Sequence, residues 1–345
     1  LLYPIEVNKT FAMGNPYHYR NKLQFPIGKD KNGKTTMGVF AKRTHEIIPI
    51  QGCAIQDIKS IQIAKYVMDA INEFGLSVYD EKTGQGLMRH VVVKAAKSTG
   101  EYMVILVINA KELPHAKKIA EALRGACHSI VSVIVNVNMK KTNVILGDKN
   151  IVILGRDYIT DRLGDYFFKI SPLSFYQVNP VQAEALYNYA IEEAEITKND
   201  IVFDLYCGIG TISIFMATSA KEVYGVEIVE QAIEMAKENA EFNEFKNTHF
   251  IAGDTEEVLT DLIENRKIVP DVIIVDPPRK GLDKTSISNI LKVKPRRVVY
   301  ISCNPASLVR DLRLLEESYV VKSIQPFDMF CFTSHVECVA VLELK

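Results

Sequence analysis

The chain has 345 residues, 48% of them hydrophobic and 24% charged, with 18 Gly and 13 Pro; this balance excludes disordered, collagen-like and low-complexity scaffolds, and the length predicts about two domains. No apolar run approaches the ~20 residues of a membrane-spanning helix, and six Cys without a CxxC pair exclude a disulfide framework, so the sequence predicts a protein of the reduced cytoplasm with no membrane partner. The net charge of −1 hides an asymmetry: residues 1–150 hold 21 Lys+Arg against 12 Asp+Glu, and residues 151–345 hold 20 against 30, a basic half that suits a polyanion because neutralised phosphates release counterions.

In the first half, Lys22–Ile27, Thr36–Phe40, Arg89–Ala95, Tyr102–Asn109 and Ile130–Asn136 read as strands, rich in β-branched residues and bounded by turn signals. Asp57–Phe74 and His115–Arg124 carry apolar residues at helical spacing. Asp30-Lys-Asn-Gly33 is a hairpin turn flanked by Lys29, Lys31 and Lys34. Residues 1–165 thus read as an α+β module.

Residues 166–345 read differently. Helix Val181–Glu195 leads to strand Ile201–Leu205 and a Gly loop; strand Glu222–Val226 leads to helix Gln231–Asn243; strands Thr248–Ala252, Asp271–Val275 and Arg297–Ser302 follow, with a terminal pair at Tyr319–Ile324 and Val336–Glu343. Alternating strands and helices predict a doubly wound, mainly parallel sheet, whose ligand sits at the carboxyl ends of the strands.

Five motifs fall at those ends. Asp204-Leu-Tyr-Cys-Gly208-Ile-Gly210-Thr-Ile-Ser213 follows a strand and opens a helix; its glycines allow backbone to approach a ligand, but Ser213 replaces the third Gly of a dinucleotide fingerprint. Glu227 ends the next strand, placed for two ribose hydroxyls, and Asp254 follows the third, where an adenine edge would lie. A Gly loop with these two acids fits S-adenosylmethionine better than a pyrophosphate. Asp276-Pro-Pro-Arg279 stiffens a strand tip so that Asp276 faces the cleft, while Arg279 can meet a phosphate or carboxylate; amine-directed nucleic-acid methylases use a similar tip.

Ser302-Cys303-Asn304-Pro305 exposes a thiol at another strand end. Nucleophilic attack there needs a lowered thiol pKa or proton transfer to assist it. Cys207 and Cys338 occupy no such turn and read as packing residues. In Thr333-Ser-His335-Val-Glu337, strand alternation predicts His335 and Glu337 on one face, supplying a general base. Ahead of the sheet, Ser171-Pro-Leu-Ser-Phe175-Tyr-Gln177-Val-Asn179 offers an amide that can read a pyrimidine edge or hold a cofactor carboxylate, and two rings, Phe175 and Tyr176, that can stack on a base.

Together, in this order, these motifs resemble the RNA 5-methyluridine methyltransferases that act on 23S ribosomal RNA and on the tRNA T-loop. Asn15-Pro-Tyr17-His-Tyr19-Arg20-Asn-Lys22 is similar to that family's central-domain signature, so the resemblance covers nearly the whole chain. It implies a class I S-adenosylmethionine-dependent methyltransferase domain, a Rossmann-like doubly wound α/β sheet, over residues 166–345, with residues 1–165 as an RNA-contacting α+β central domain. It implies Cys303 as nucleophile toward carbon 6 of uracil and Glu337 as base at carbon 5. The cofactor is then held by Gln177, Tyr206, Gly208, Gly210, Thr211, Glu227, Asp254 and Asp276, and RNA is met by Arg20, Lys22, Phe175, Gln177 and Arg279. The expected substrate is 23S rRNA, with tRNA as the alternative, and the expected state a monomer.

Two departures stand out. The N-terminal oligonucleotide-binding barrel and the clustered cysteines of several ribosomal members are missing, although Cys53 stands where a fourth iron-sulfur ligand lies. That position implies a [4Fe-4S] cluster in a longer form whose leading segment is absent, consistent with a first residue that is Leu; a cluster-free protein with a leftover Cys is the alternative. Cys331 and Phe332 replace the usual Pro-Gln. Three other readings remain open: a nicotinamide dehydrogenase, an amine-directed methylase without a covalent Cys, and a non-catalytic RNA-binding protein.

Overall fold

The computed structural model describes residues 5–345, which divide into two units: Pro16–Arg162 with Lys169–Leu173, and the rest. The division is not the single boundary near residue 165 that the sequence suggests. The described residues up to Asn15 belong with the C-terminal unit, because Val7 and Phe11 form β-bridges to Ile324 and Phe327 and the Phe11 and Phe327 rings lie 5.4 Å apart.

The first unit runs β1 (Lys22–Lys29), β2 (Thr35–Phe40), β3 (Ile47–Pro49), α1 (Ile58–Glu73), β4 (Met88–Ala96), β5 (Glu101–Ile108), α2 (Ala116–Ala126), β6 (Ile130–Val137) and β7 (Lys149–Gly155). Its seven strands form one sheet in the order β3-β2-β1-β4-β5-β6-β7. The β1–β2 hairpin turns where expected: Asp30 Oδ1 accepts the Asn32 and Lys34 amides at 2.8 and 2.9 Å, and Gly33 takes a left-handed φ of 79°. Asp57 caps α1 by accepting the Ser60 amide at 2.8 Å. Alternate residues Val91 and Val93, Val104 and Leu106, Val133 and Val135 meet Ile63, Val67, Ile119 and Leu123 of the helices in one core, each fully buried side chain contributing roughly 1.5–3 kcal/mol. Next, β8 (Ile159–Leu163) and β9 (Tyr166–Ile170) form a separate two-stranded sheet.

The second unit continues with α3 (Pro180–Ala194), β10 (Ile201–Leu205), α4 (Thr211–Ala217), β11 (Glu222–Glu227), α5 (Glu230–Phe242), β12 (Thr248–Ala252), α6 (Thr255–Thr260), β13 (Val272–Val275), α7 (Lys284–Val293), β14 (Arg297–Ser302), α8 (Pro305–Leu315), β15 (Tyr319–Phe327) and β16 (Glu337–Leu344); a π turn, Asp261–Asn265, follows α6. The sheet order is β12-β11-β10-β13-β14-β16-β15. The first five are parallel, and β16 runs antiparallel to both β14 and β15. Helices α3, α4 and α5 neighbour one another, as do α6, α7 and α8, giving the doubly wound arrangement expected. One core joins Phe203, Val226, Ile273 and Tyr300 of the sheet to Leu259, Ile287, Leu308 and Leu312 of the helices.

The reversal of β16 positions the site. Parallel strands place their carboxyl ends on one edge, and an antiparallel neighbour brings its amino end to that same edge. Ser302 pairs with Cys338, so the next residue after β14, Cys303, lies level with the first residue of β16, Glu337. No described helix is long and apolar enough to cross a membrane.

Candidate active site

The Gly loop is built on β10 and β11. The amides of Tyr206 and Cys207 both donate to Val226 O, at 2.8 and 3.0 Å, and Gly208 and Gly210 take left-handed φ of 55° and 80°. A Cβ on Gly210 would meet the Phe250 ring at 3.0 Å and Ala236 Cβ at 3.1 Å, whereas a Cβ on Gly208 would meet nothing within 4 Å. The loop is therefore packed on one side and open on the other. Glu227 lies beside that opening: one carboxylate oxygen accepts the Gly208 amide at 3.3 Å and the other the Val229 amide at 3.0 Å. Asp254 is exposed and caps α6 through the Glu256 amide at 2.9 Å. Tyr206, with φ of 70°, donates its hydroxyl to Asp283 Oδ2 at 3.4 Å; burial first, then Asp283, pushes its phenol up to about 12.

Asp204 carries a role that its place in the motif did not disclose. It is fully buried, accepts the Ser213 hydroxyl, and burial pushes its carboxyl up to about 7, with Glu227 adding to the effect. Its Oδ1 is buried without a partner. Ser213 is thus a ligand of Asp204 rather than merely a missing glycine.

At the reacting edge, Asp276 is half-buried, and burial followed by the nearby Asp204 pushes it up to about 7. Glu337 is buried, 4% exposed, and is pushed up to about 8 by burial and then by Asp276, against the pull of Arg279. The Cys303 thiol, half-buried, is also pushed up, by burial first and then by Glu337 and Asp276, while Arg279 and its own amide oppose the shift. Such interacting acids titrate as a group rather than singly. Tyr187 of α3, buried beside them, has its phenol raised by burial and then by Asp276, with a hydrogen bond to Thr211 opposing. Cys303, Glu337, Asp276 and Arg279 therefore share one electrostatic environment, and sequence reasoning missed Tyr187, whose helical position gives no sign of where its hydroxyl ends.

Several expectations need correction. His335 does not alternate with Glu337, because β16 begins at Glu337; His335 is exposed in the preceding turn, where its amide donates to Thr333 Oγ1 at 3.2 Å. Tyr176 is buried, its ring 6.4 Å from that of Phe168, and offers no stacking face, whereas Phe175 is 66% exposed. Of the two routes to an active thiol that the sequence left open, a lowered pKa is not present in the free protein, where burial raises it. Gln177 is half-buried just before Asn179, which caps α3 and donates to Met329 O at 3.0 Å. Cys207 and Cys338 are buried, as packing residues should be.

Arg20 and Lys22 belong to the other unit. Lys22 on β1 pairs directly with Lys94 on β4; burial and then Lys22 push Lys94 to about 7, and burial and then Arg20 lower Lys22. Like charges opposite one another on neighbouring strands are costly, and the buried Lys94 ammonium is held by Ser171 O at 2.7 Å. Cys53 is half-buried and unbridged, and no group of three or more His, Cys, Asp or Glu among the described residues could hold a metal. These residues do not fit an iron-sulfur cluster.

The model of the family described as tRNA (Uracil-5-)-methyltransferase matches residues 5–345. The chain belongs to that family. An uncharacterized RNA methyltransferase of Clostridium tetani is 48% identical over 98% of this chain and 73% of its own length, and one from Halalkalibacterium halodurans is 48% identical over 99% and 74%. Among solved structures, the tRNA (uracil-54, C5)-methyltransferase of Pyrococcus abyssi, in complex with S-adenosyl-L-homocysteine, superposes with a TM-score of 0.81 at 30% identity, covering 97% of this chain and 78% of that one. A putative SAM-dependent methyltransferase from Streptococcus mutans, at TM-score 0.51 and 11% identity over 92% and 90%, shares the fold alone. Family membership thus agrees with the resemblance carried by the motifs.

Proposed function

We propose that the protein transfers a methyl group from S-adenosylmethionine to carbon 5 of a uridine in RNA, through a covalent bond between Cys303 and carbon 6. The observation that carries this reading is the level placement of Cys303 and Glu337 at the ligand-bearing edge of the sheet, with Asp276 and Arg279 beside them. The open side of Gly208, the Glu227 and Asp254 carboxylates and the unpartnered Asp204 oxygen suit an adenosine cofactor with a charged amino-acid tail; Gln177, Tyr206, Gly210, Thr211 and Asp276 complete its holders. When bound, S-adenosylmethionine supplies an electrophilic methyl group to carbon 5.

The chain's own residues make carbon 5 able to receive it. Cys303 releases its proton to water and its sulfur then adds to carbon 6 as the thiolate, moving an electron pair toward carbon 5 and the carbonyl oxygen at carbon 4 as an enolate. After methylation the Glu337 carboxylate removes the remaining carbon-5 proton, the carbon 5–carbon 6 double bond re-forms, and the thiolate leaves. Asp276 keeps Glu337 basic, and Arg279 offsets the accumulated negative charge. Phe175 stacks on a base, and the target uridine leaves its own stack at a cost of a few kcal/mol. In this reading the enzyme acts as a monomer in the cytoplasm, where its RNA lies.

Because Glu337 and Cys303 both act deprotonated and both are pushed up, kcat/KM should climb from pH 6 toward pH 8.5, with a limb near pH 8 set by the acid group. A profile already flat at pH 6.5 would contradict the assignment of Glu337 as base.

Arg20 and Lys22, neighbours on the first unit with its basic sequence, support RNA contact by that unit. Arg20→Ala or Lys22→Ala should weaken RNA binding and reduce the slope of log K against log salt by about 1 per lost phosphate contact, measured by a salt titration of RNA affinity; unchanged affinity and slope would remove the residue from the footprint. For the substrate we take 23S rRNA, the class that the motif resemblance implies. The second reading, tRNA, is favoured by the structural similarity to the Pyrococcus abyssi protein. Labelled S-adenosylmethionine supplied with unmodified 23S rRNA and, in parallel, unmodified tRNA decides between them: label in 5-methyluridine of the 23S pool alone supports the first reading, and label in the tRNA pool alone replaces it with the second.

A further inference from the structure

The loop that carries Arg279 leaves β13 at Asp276 and is gripped along its backbone by α8. Asn304 Nδ2 donates to Arg279 O at 2.9 Å, and Arg310 Nη2 donates to Lys280 O at 2.7 Å and Leu282 O at 3.4 Å. Asp311, fully buried, accepts the Leu282 amide at 2.8 Å and the Tyr300 hydroxyl at 2.7 Å through Oδ2, and Arg310 Nε at 2.8 Å through Oδ1. Between these contacts Gly281 takes φ of 79° and closes a turn by donating to Pro278 O at 2.8 Å. A Cβ there would lie 2.4 Å from Asp311 Oδ2 and 2.5 Å from Arg310 Nη2, so the grip requires glycine.

Three residues of α8 or its cap, Asn304, Arg310 and Asp311, hold peptide groups of Arg279, Lys280 and Leu282, and a carboxylate is buried to do it, which is costly unless each oxygen is paired. The same Asn304 that holds Arg279 O also caps α8 through the Ala306 amide at 3.1 Å, immediately after Cys303. One helix start therefore anchors both the nucleophile's turn and the loop bearing the cation that acts on Cys303 and Glu337.

We propose that Asn304, Arg310 and Asp311 are positioning residues that hold Arg279 beside Cys303 and Glu337, so that nucleophile and base work under one fixed positive charge. This rests on the roles proposed above for Cys303 and Glu337, and its test reads the thiol without RNA or methyl transfer. Iodoacetamide alkylation of the full chain is followed over pH on the Cys303-bearing peptide by mass spectrometry. Arg279→Ala should slow alkylation at pH 7.5 by about 3- to 10-fold, the change in thiolate that half to one pKa unit gives. Arg310→Ala, which frees Lys280 O and leaves Asp311 Oδ2 on the Leu282 amide, should slow it in the same direction, and the Arg279→Ala/Arg310→Ala double variant should be no slower than Arg279→Ala alone. Arg310→Lys should restore less than half of the loss, because an ammonium cannot span Lys280 O and the Asp311 carboxylate together. Unchanged alkylation in Arg310→Ala, or additive slowing in the double variant, would overturn the proposal. An Arg279→Ala protein with normal alkylation overturns it too, while its methyl-transfer activity reports separately on the proposed function.

Discussion

Replacing Cys303 with Ala should abolish methyl transfer to RNA while leaving cofactor binding intact. The expected loss is on the order of 10⁴-fold or more, the scale on which removal of an enzyme's nucleophile acts. Carbon 5 of uracil is too weak a nucleophile to take the methyl group unaided, so the remaining groups of the site have nothing to methylate once the sulfur is gone. Folding should be little affected, because Cys303 sits half-buried in a turn after β14 rather than in the core. An amine-directed methylase would keep its activity in this variant. Single-turnover transfer of labelled methyl separates the cases, and a Cys303→Ala protein within tenfold of the parent rate would rule out the covalent route.

The second large effect concerns Glu337. Glu337→Gln keeps the side chain's volume and its buried position but cannot take the carbon-5 proton. Addition of sulfur and methylation should still proceed, and elimination should stop. The variant should therefore accumulate a methylated RNA bound to protein, visible as a species that survives denaturing electrophoresis, with free product falling by about 10²- to 10⁴-fold, the range of general-base catalysis. Free 5-methyluridine released at the parent rate would remove Glu337 from the role. Neutralising this group should also ease its burial. Its pKa is raised in the folded state, so the penalty of ionising it is absent well below pH 4.5 and grows as pH rises toward 8; the stability gain of Glu337→Gln should follow that course.

Much of this was legible because chemistry in a doubly wound sheet gathers at strand ends, and strand ends are where β-branched runs stop. Ile201–Leu205, Thr248–Ala252 and Arg297–Ser302 have the bounds that the sequence suggests, and each runs into a motif. Other elements escaped. Helices α7 and α8 carry readable signals, Asp283 and Asn304 as caps and Pro305 at the first turn, but their short apolar patterns are broken by charged residues. The three-residue strand β3 is too short for a period to register. His335 failed because alternation assumes a strand that has already begun, and the chain enters β16 only at Glu337. The arms that hold the site together are long-range: Tyr187 beside Asp276, and Asp311 on the Leu282 amide. Such contacts depend on how helices pack across the sheet, which local spacing does not encode.

The central claim is a covalent bond between Cys303 and carbon 6 of a uridine. It is tested most directly with 23S rRNA transcribed with 5-fluorouridine, where fluorine replaces the proton that Glu337 must remove. Incubation with S-adenosylmethionine followed by proteolysis and tandem mass spectrometry should find the Cys303 peptide carrying a methylated fluorouridine nucleotide. Methyl transfer to a natural transcript with no adduct on the fluorinated one, or an adduct on a different residue, would contradict the account.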